Sequence, residues 1–102
     1  MDPKLKEKIE HLINADKVVL FMKGSPTQPK CGFSLQVANI LRKHGIKFAY
    51  VDILEDEELR TGVKEYANWP TYPQLWAGGK LVGGCDIITQ LDQSDELENA
   101  LK

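Results

Sequence analysis

Val18-Val19-Leu20-Phe21-Met22-Lys23-Gly24-Ser25-Pro26-Thr27-Gln28-Pro29-Lys30-Cys31-Gly32-Phe33-Ser34 is the stretch on which the fold turns. Val18 to Met22 is short and wholly apolar, the mark of a strand covered on both faces. Lys23 to Lys30 contains Gly24, Pro26 and Pro29, so it is read as a loop. Cys31 follows at once, and a helical spacing begins. Phe33, Val37, Ile40 and Leu41 form its apolar stripe, and the helix is expected to end near His44-Gly45. Gly45 suits the residue just past a helix, where a left-handed backbone is common.

Upstream, Leu5, Ile9, Leu12 and Ile13 recur at helical spacing, which predicts a helix over Pro3 to Asn14. Pro3 suits a first turn. Downstream, Phe48 to Asp52 reads as a strand. Asp56-Glu57-Glu58 then opens a helix with acids where the dipole favours them, and Leu59, Val63 and Tyr66 are its buried stripe. Trp69-Pro70-Thr71-Tyr72-Pro73 cannot continue that helix. Gln74 to Ala77 and Lys80 to Val82 are short strands joined by Gly78-Gly79, a two-residue hairpin signal. A last helical stretch starts about Cys85, and Ser94 is expected to cap a final turn through Leu97 and Leu101. A strand-helix-strand unit implies a parallel pair, and the hairpin adds antiparallel strands. The expected fold is a thioredoxin-like α/β domain over residues 1–102, a four-stranded mixed sheet with helices on both faces.

Composition narrows the function. The chain is 42% hydrophobic and 27% charged with a net charge of -2, so no general electrostatic case exists for nucleic acid or an anionic membrane surface. No apolar run approaches the ~20 residues of a membrane span. Met1 to Lys8 is charged, without the apolar segment of a secretory signal. Two cysteines, Cys31 and Cys85, are too few for a disulfide-stapled secreted domain, which points to a reducing compartment. Zinc is disfavoured because His11 and His44 match no ligand spacing, and both read as ordinary surface residues.

Cys31 and Ser34 have the spacing of a C-x-x-C pair with its second thiol replaced. A second thiol resolves the mixed disulfide made by the first, and a hydroxyl cannot do so. Cys31 lies between a loop and a helix, at or just before a helix N-terminus, where the dipole stabilises a thiolate. Lys23 and Lys30 flank it. The bland alternative is a buried, inert cysteine. Arg60 and Lys64 are four apart and share a helix face, either as anion ligands or as solvated charge. Asp86 by itself reads as a plain helix cap.

Cys31-Gly32-Phe33-Ser34 resembles the CGFS signature of the monothiol glutaredoxins. Phe21-Met22-Lys23-Gly24, Trp69-Pro70-Thr71-Tyr72-Pro73 and Gly83-Gly84-Cys85-Asp86 match that family in order and spacing, so the likeness spans essentially the whole chain. The resemblance implies a glutathione site. Lys23 would reach the cysteinyl-glycine end, with Phe33 beside Cys31, and Arg60 and Lys64 would hold the glycine carboxylate. Tyr72-Pro73 would be a cis-proline turn whose backbone pairs with the cysteinyl part. Gly84 would let backbone approach closely, Cys85 and Asp86 would offer helix N–H groups, and the Asp86 carboxylate would take the γ-glutamyl amino group. The Cys85 thiol reads as dispensable, and geometry decides whether it reaches Cys31. Trp69 would serve the ligand or only cover the core.

The resemblance further implies that Cys31 is a ligand to a [2Fe-2S] cluster. One protein thiolate and one glutathione thiolate per chain supply two sulfurs, and two chains supply the four that a cluster needs. A monomer without cluster and a homodimer with it follow. BolA-like proteins and iron-sulfur recipient proteins are the implied partners. The alternative is a monothiol glutathione-dependent oxidoreductase, in which Cys31 accepts glutathione from a mixed disulfide. A third reading is a partner-binding module of a longer protein. The expected compartment is the cytoplasm, or a mitochondrion or plastid if a targeting segment has been removed.

Overall fold

The computed structural model describes residues 1–102 as five helices and one sheet. In chain order these are α1 (Pro3–Ile13), β1 (Val18–Met22), α2 (Gly32–Lys43), β2 (Ala49–Asp52), α3 (Glu57–Ala67), β3 (Gln74–Ala77), β4 (Lys80–Gly83), α4 (Cys85–Gln93) and α5 (Leu97–Ala100). The strand order is β2-β1-β3-β4. β1 runs parallel to β2 and antiparallel to β3, and β3 pairs antiparallel with β4. This is the expected thioredoxin-like fold.

β1 explains the two-sided architecture. Its residues are all buried and their side chains alternate. Val18, Leu20 and Met22 join Val37, Ala38 and Leu41 of α2, Ile88 of α4 and Leu97 at the start of α5 in one core. Val19 and Phe21 face Ile9 and Ile13 of α1, with Leu59 and Val63 of α3, in the other. So α2, α4 and α5 cover one sheet face and α1 and α3 the opposite one.

The ends of the helices follow local chemistry. Asp2 caps α1 by accepting from the Lys4 N–H at 3.1 Å, and Asp56 caps α3 by accepting from the Leu59 N–H at 3.0 Å. Gly45, at φ +66°, closes α2, with the Ile46 N–H bonded to the Leu41 carbonyl. Gly78 and Gly79 both have positive φ, as a tight hairpin turn demands.

The loop between β1 and α2 is folded back on itself. Gly24 bridges Pro29, and the Lys30 N–H bonds to the Lys23 carbonyl at 2.8 Å. Gly24 has φ +90°, and a β-carbon there would stand 2.4 Å from the Gln28 carbonyl oxygen. Gly24→Ala is therefore expected to lower stability by about 2 to 3 kcal/mol, from strained backbone and a clash that no side-chain rotation relieves. Thermal unfolding of the variant checks this, and an unchanged midpoint would contradict it.

Three expectations are corrected. Phe33 does not bury in the α2 stripe but is 61% exposed. Its first-turn position carries it past the edge of the core. Ser94 does not cap α5; it ends α4, its hydroxyl donating to the Leu91 carbonyl, and Glu96 precedes α5. His44 is not an ordinary surface histidine. Its Nε2 lies 2.6 Å from Asp92 Oδ1, while Lys43 Nζ lies 2.7 Å from Asp92 Oδ2. These contacts tie the end of α2 to α4, and Lys43 first, then His44, hold the Asp92 carboxyl below the usual range. Smaller differences are the half-burial of Tyr66, the start of β2 at Ala49, and the extension of β4 to Gly83.

Candidate functional site

Cys31 is the residue immediately before α2 and has extended backbone, with φ -149° and ψ 135°. β1, with its folded loop, delivers it to the helix start, where the first N–H groups have no intrahelical partner. Its sulfur closes no capping hydrogen bond, yet it is the group those dipoles act upon. The thiol is held below its ordinary pKa chiefly by the Ser34 backbone N–H, against a partly opposing desolvation. The Phe33 N–H, the Lys23 charge and the Ser34 hydroxyl add to the lowering. Cys31 is part-exposed. Cys31 is therefore not a buried cysteine.

Ser34 is fully buried, and its Oγ accepts from the Lys23 N–H at 3.1 Å. It pins the end of β1 to the first turn of α2. Lys23 thus sits beside Cys31 through two links, its covalent place in β1's exit and this bond.

Cys31 opens on a cavity of about 670 Å³, within the range of small-ligand sites. The cavity wall includes Lys23, Phe33, Lys64, Tyr72, Pro73, Gly84, Cys85 and Asp86 together with Cys31. These are the residues the sequence singled out, with one exception. Arg60 is not on the wall. It lies one turn before Lys64, and its carbonyl accepts the Tyr72 hydroxyl at 2.7 Å.

The Tyr72-Pro73 peptide bond is cis, as the resemblance implied. It sets the end of the turn against Gly84. A β-carbon on Gly84 would stand 3.2 Å from the Pro73 carbonyl oxygen and 3.4 Å from Trp69 Nε1. Glycine here permits close packing, since its backbone torsions suit other residues. Gly84 precedes α4, whose first intrahelical bond runs from the Ile88 N–H to the Gly84 carbonyl. The N–H groups of Cys85, Asp86 and Ile87 come before that bond, at an anion-favouring helix end.

One support of the wall, Gln74, has no counterpart among the residues singled out from the sequence, and Trp69 joins it there. Gln74 is fully buried and fully partnered. Its Nε2 donates to the Trp69 and Thr71 carbonyls at 3.2 and 3.3 Å, and its Oε1 accepts from Trp76 Nε1 at 3.3 Å. It fastens the 69–73 turn to β3. Its only sequence signal is a polar residue opening an otherwise apolar strand. Trp69 lines the cavity, and its Nε1 is buried with no hydrogen-bond partner in the protein. An unsatisfied donor of this kind costs about 1 to 3 kcal/mol.

The two cysteines differ. Burial pushes the Cys85 thiol up, Thr89 opposes this, and the charges of Asp86 and Cys31 push further upward. Cys85 Sγ lies 3.9 Å from Thr89 Oγ1, which also accepts from Gln36 at 2.8 Å. Both cysteines are free thiols. Thiolate is the reactive form, so iodoacetamide at pH 7 is expected to label Cys31 before Cys85. The Cys31 rate should reach its plateau at a lower pH than an unperturbed thiol, and Cys85 at a higher one. Mass spectrometry of timed samples checks this, and equal rates would contradict it.

A thioredoxin-like sheet that presents a single activated cysteine opposite a cis-proline turn defines a thiol-chemistry domain of the glutaredoxin type. The glutaredoxin family profile matches residues 18–82. Glutaredoxin 4 of Escherichia coli K12 is 50% identical over 96 residues, which cover 94% of this chain and 84% of that protein. Monothiol glutaredoxin-S17 of Arabidopsis thaliana is 52% identical over 97 residues, 95% of this chain. The chain spans 20% of that plant protein's length and 29% of the zebrafish Glutaredoxin 3 that it also matches. The solution structure of reduced poplar apo GrxS14 superposes with a TM-score of 0.83 at 46% identity, covering 98% of this chain and 95% of that one. The chain belongs to the glutaredoxin family, in its monothiol branch with the CGFS sequence at residues 31–34. No helix is long and apolar enough to cross a membrane.

Proposed function

We propose that this chain is a glutathione-dependent carrier of [2Fe-2S] clusters. The observation that carries the reading is one part-exposed thiol at Cys31, held below its ordinary pKa at a helix start, with Ser34 where a resolving thiol would stand. A thiolate is a soft ligand suited to iron-sulfur clusters. With no thiol at position 34, the next turn of the helix holds no resolving thiol to close a disulfide onto Cys31.

The cavity chemistry supports glutathione as the second sulfur source. Glutathione brings two carboxylates, one ammonium and one thiol. Lys23, Lys64 and the α4 N-terminus are the cationic and N–H groups of the wall, and Asp86 is its one carboxylate. In this reading Tyr72 and Pro73 offer backbone to the cysteinyl part, Gly84 and Cys85 line the γ-glutamyl end, and Phe33 shields the Cys31 side.

Two such chains and two glutathiones supply four sulfurs, so loading joins two chains. A BolA-like partner would replace one chain, and apoproteins that need a cluster would receive it. Residues 1–102 are read as one glutaredoxin module, alone or within a longer protein, in the cytoplasm or an organelle. Anaerobic reconstitution with iron, sulfide and glutathione tests the proposal. The colourless monomer should become a coloured dimer, and no visible absorption would overturn it.

Oxidoreductase chemistry is the second reading, because the lowered Cys31 pKa also suits thiol-disulfide exchange. A glutathione-coupled mixed-disulfide assay separates the two. Turnover matching a dithiol enzyme would put exchange first.

A further inference from the structure

Tyr72 joins the cavity wall to α3 at two points. The residue is 7% exposed, and its hydroxyl donates to the Arg60 carbonyl at 2.7 Å. In a helix that carbonyl faces the N–H of residue 64, so Tyr72 takes the second lone pair. Lys64 carries its Nζ 5.8 Å from the Tyr72 ring centroid. The same ring is thus locked to α3 by its hydroxyl and faces an ammonium group from the next turn.

Lysine side chains lose much rotamer freedom when they are fixed. A free Lys64 would spend its time in solvent. An aromatic face attracts a cation within about 6 Å of its centroid. Tyr72 therefore offers Lys64 a resting position on the cavity wall before any ligand arrives. Arg60 shares the helix face, but this turn uses its backbone, and its side chain is not on the wall.

We propose that Tyr72 is a positioning residue that holds the Lys64 ammonium at the cavity for a ligand carboxylate. The hydroxyl fixes the ring, the ring fixes the cation, and the pair selects for a charged over an amidated end. The proposal rests on the glutathione reading above. It adds a side-chain role to a turn whose contribution there is backbone alone.

The test uses the full chain and two ligands, reduced glutathione and glutathione with its glycine carboxylate amidated, titrated by calorimetry. The wild type should prefer glutathione. Tyr72→Leu should weaken glutathione about three- to fivefold more than it weakens the amide, the worth of an exposed cation–π contact. Tyr72→Phe keeps the ring and should retain most of the preference. Tyr72→Leu with Lys64→Gln should bind no more weakly than Lys64→Gln alone. Equal loss for both ligands, or additive losses, would overturn the proposal.

A second measurement does not depend on how the variants fold. In the free wild type, the Lys64 side-chain methylene protons nearest Nζ should resonate upfield through the Tyr72 ring current. Unshifted resonances would also overturn the proposal. A wild type that binds neither ligand removes the glutathione reading, and this ligand with it. One that binds both equally removes the Tyr72 proposal alone.

Discussion

Cys31→Ser is expected to leave a folded, colourless monomer under conditions in which the wild type reconstitutes as a coloured dimer. The fold should survive the change. Cys31 occupies the cap position of α2, and its sulfur closes no capping bond. Serine is among the favoured residues there, because its oxygen accepts from the first turn's N–H groups. The melting temperature should hold or rise, so lost colour is lost chemistry. The proposed cluster needs four sulfurs, and two variant chains with two glutathiones supply two. Cys85 lies on the same cavity, but burial holds it as a thiol, which is a poor ligand. Cys85→Ser should therefore keep the colour. Visible absorbance, gel filtration and thermal unfolding of the three proteins make the test. Colour in Cys31→Ser would remove the carrier reading, whereas loss in Cys85→Ser alone would move the ligand.

The site was legible where its chemistry is local. Cys31 follows a loop and opens a helix, and both its exposure and its activation come from that position. The cavity gathers residues that lie together in short motifs, so Lys23, Tyr72, Pro73, Gly84 and Asp86 fell into place. Spacing misled where a side chain's surroundings come from elsewhere. Phe33 fits the stripe of Val37, Ile40 and Leu41, yet the core does not extend under the first turn of α2. Arg60 and Lys64 are equivalent on a helical wheel, and a bond from Tyr72 twelve residues on engages the backbone of only one. His44 meets Asp92 across 48 residues, which no local pattern encodes. Ser94 has the chemistry of a cap, but a left-handed Asp95 lets the Glu96 N–H close onto Leu91 and end α4 there.

Ser34→Cys is expected to turn the proposed carrier into a disulfide former. The side chain at position 34 is fully buried, and its oxygen acts both on the Lys23 N–H and on Cys31. A thiol placed there lies within one helical turn of the Cys31 sulfur. With glutathione disulfide as oxidant, Cys31 attacks one sulfur and releases one glutathione. The introduced thiol then attacks the Cys31 sulfur, the new bond forms between residues 31 and 34, and the second glutathione leaves. The oxidised product has lost two hydrogen atoms, which intact mass shows, and it no longer has a ligand thiolate. Reconstituted colour should fall as the oxidised fraction rises and return on reduction. Ser34→Ala is the necessary companion. It strips the acceptor from the part-buried Lys23 N–H, at a cost of about 1 to 3 kcal/mol, but makes no disulfide. It should melt earlier and still take up colour, with Cys31 alkylated somewhat more slowly at pH 7 because the Ser34 hydroxyl no longer helps hold its pKa down. If Ser34→Ala loses the cluster as completely as Ser34→Cys, the hydroxyl is needed for binding itself. If Ser34→Cys stays reduced in glutathione disulfide and keeps its colour, the serine does not protect Cys31. The expected split would assign Ser34 two separable tasks: holding β1 against α2, and keeping a resolving thiol out of the turn that follows Cys31.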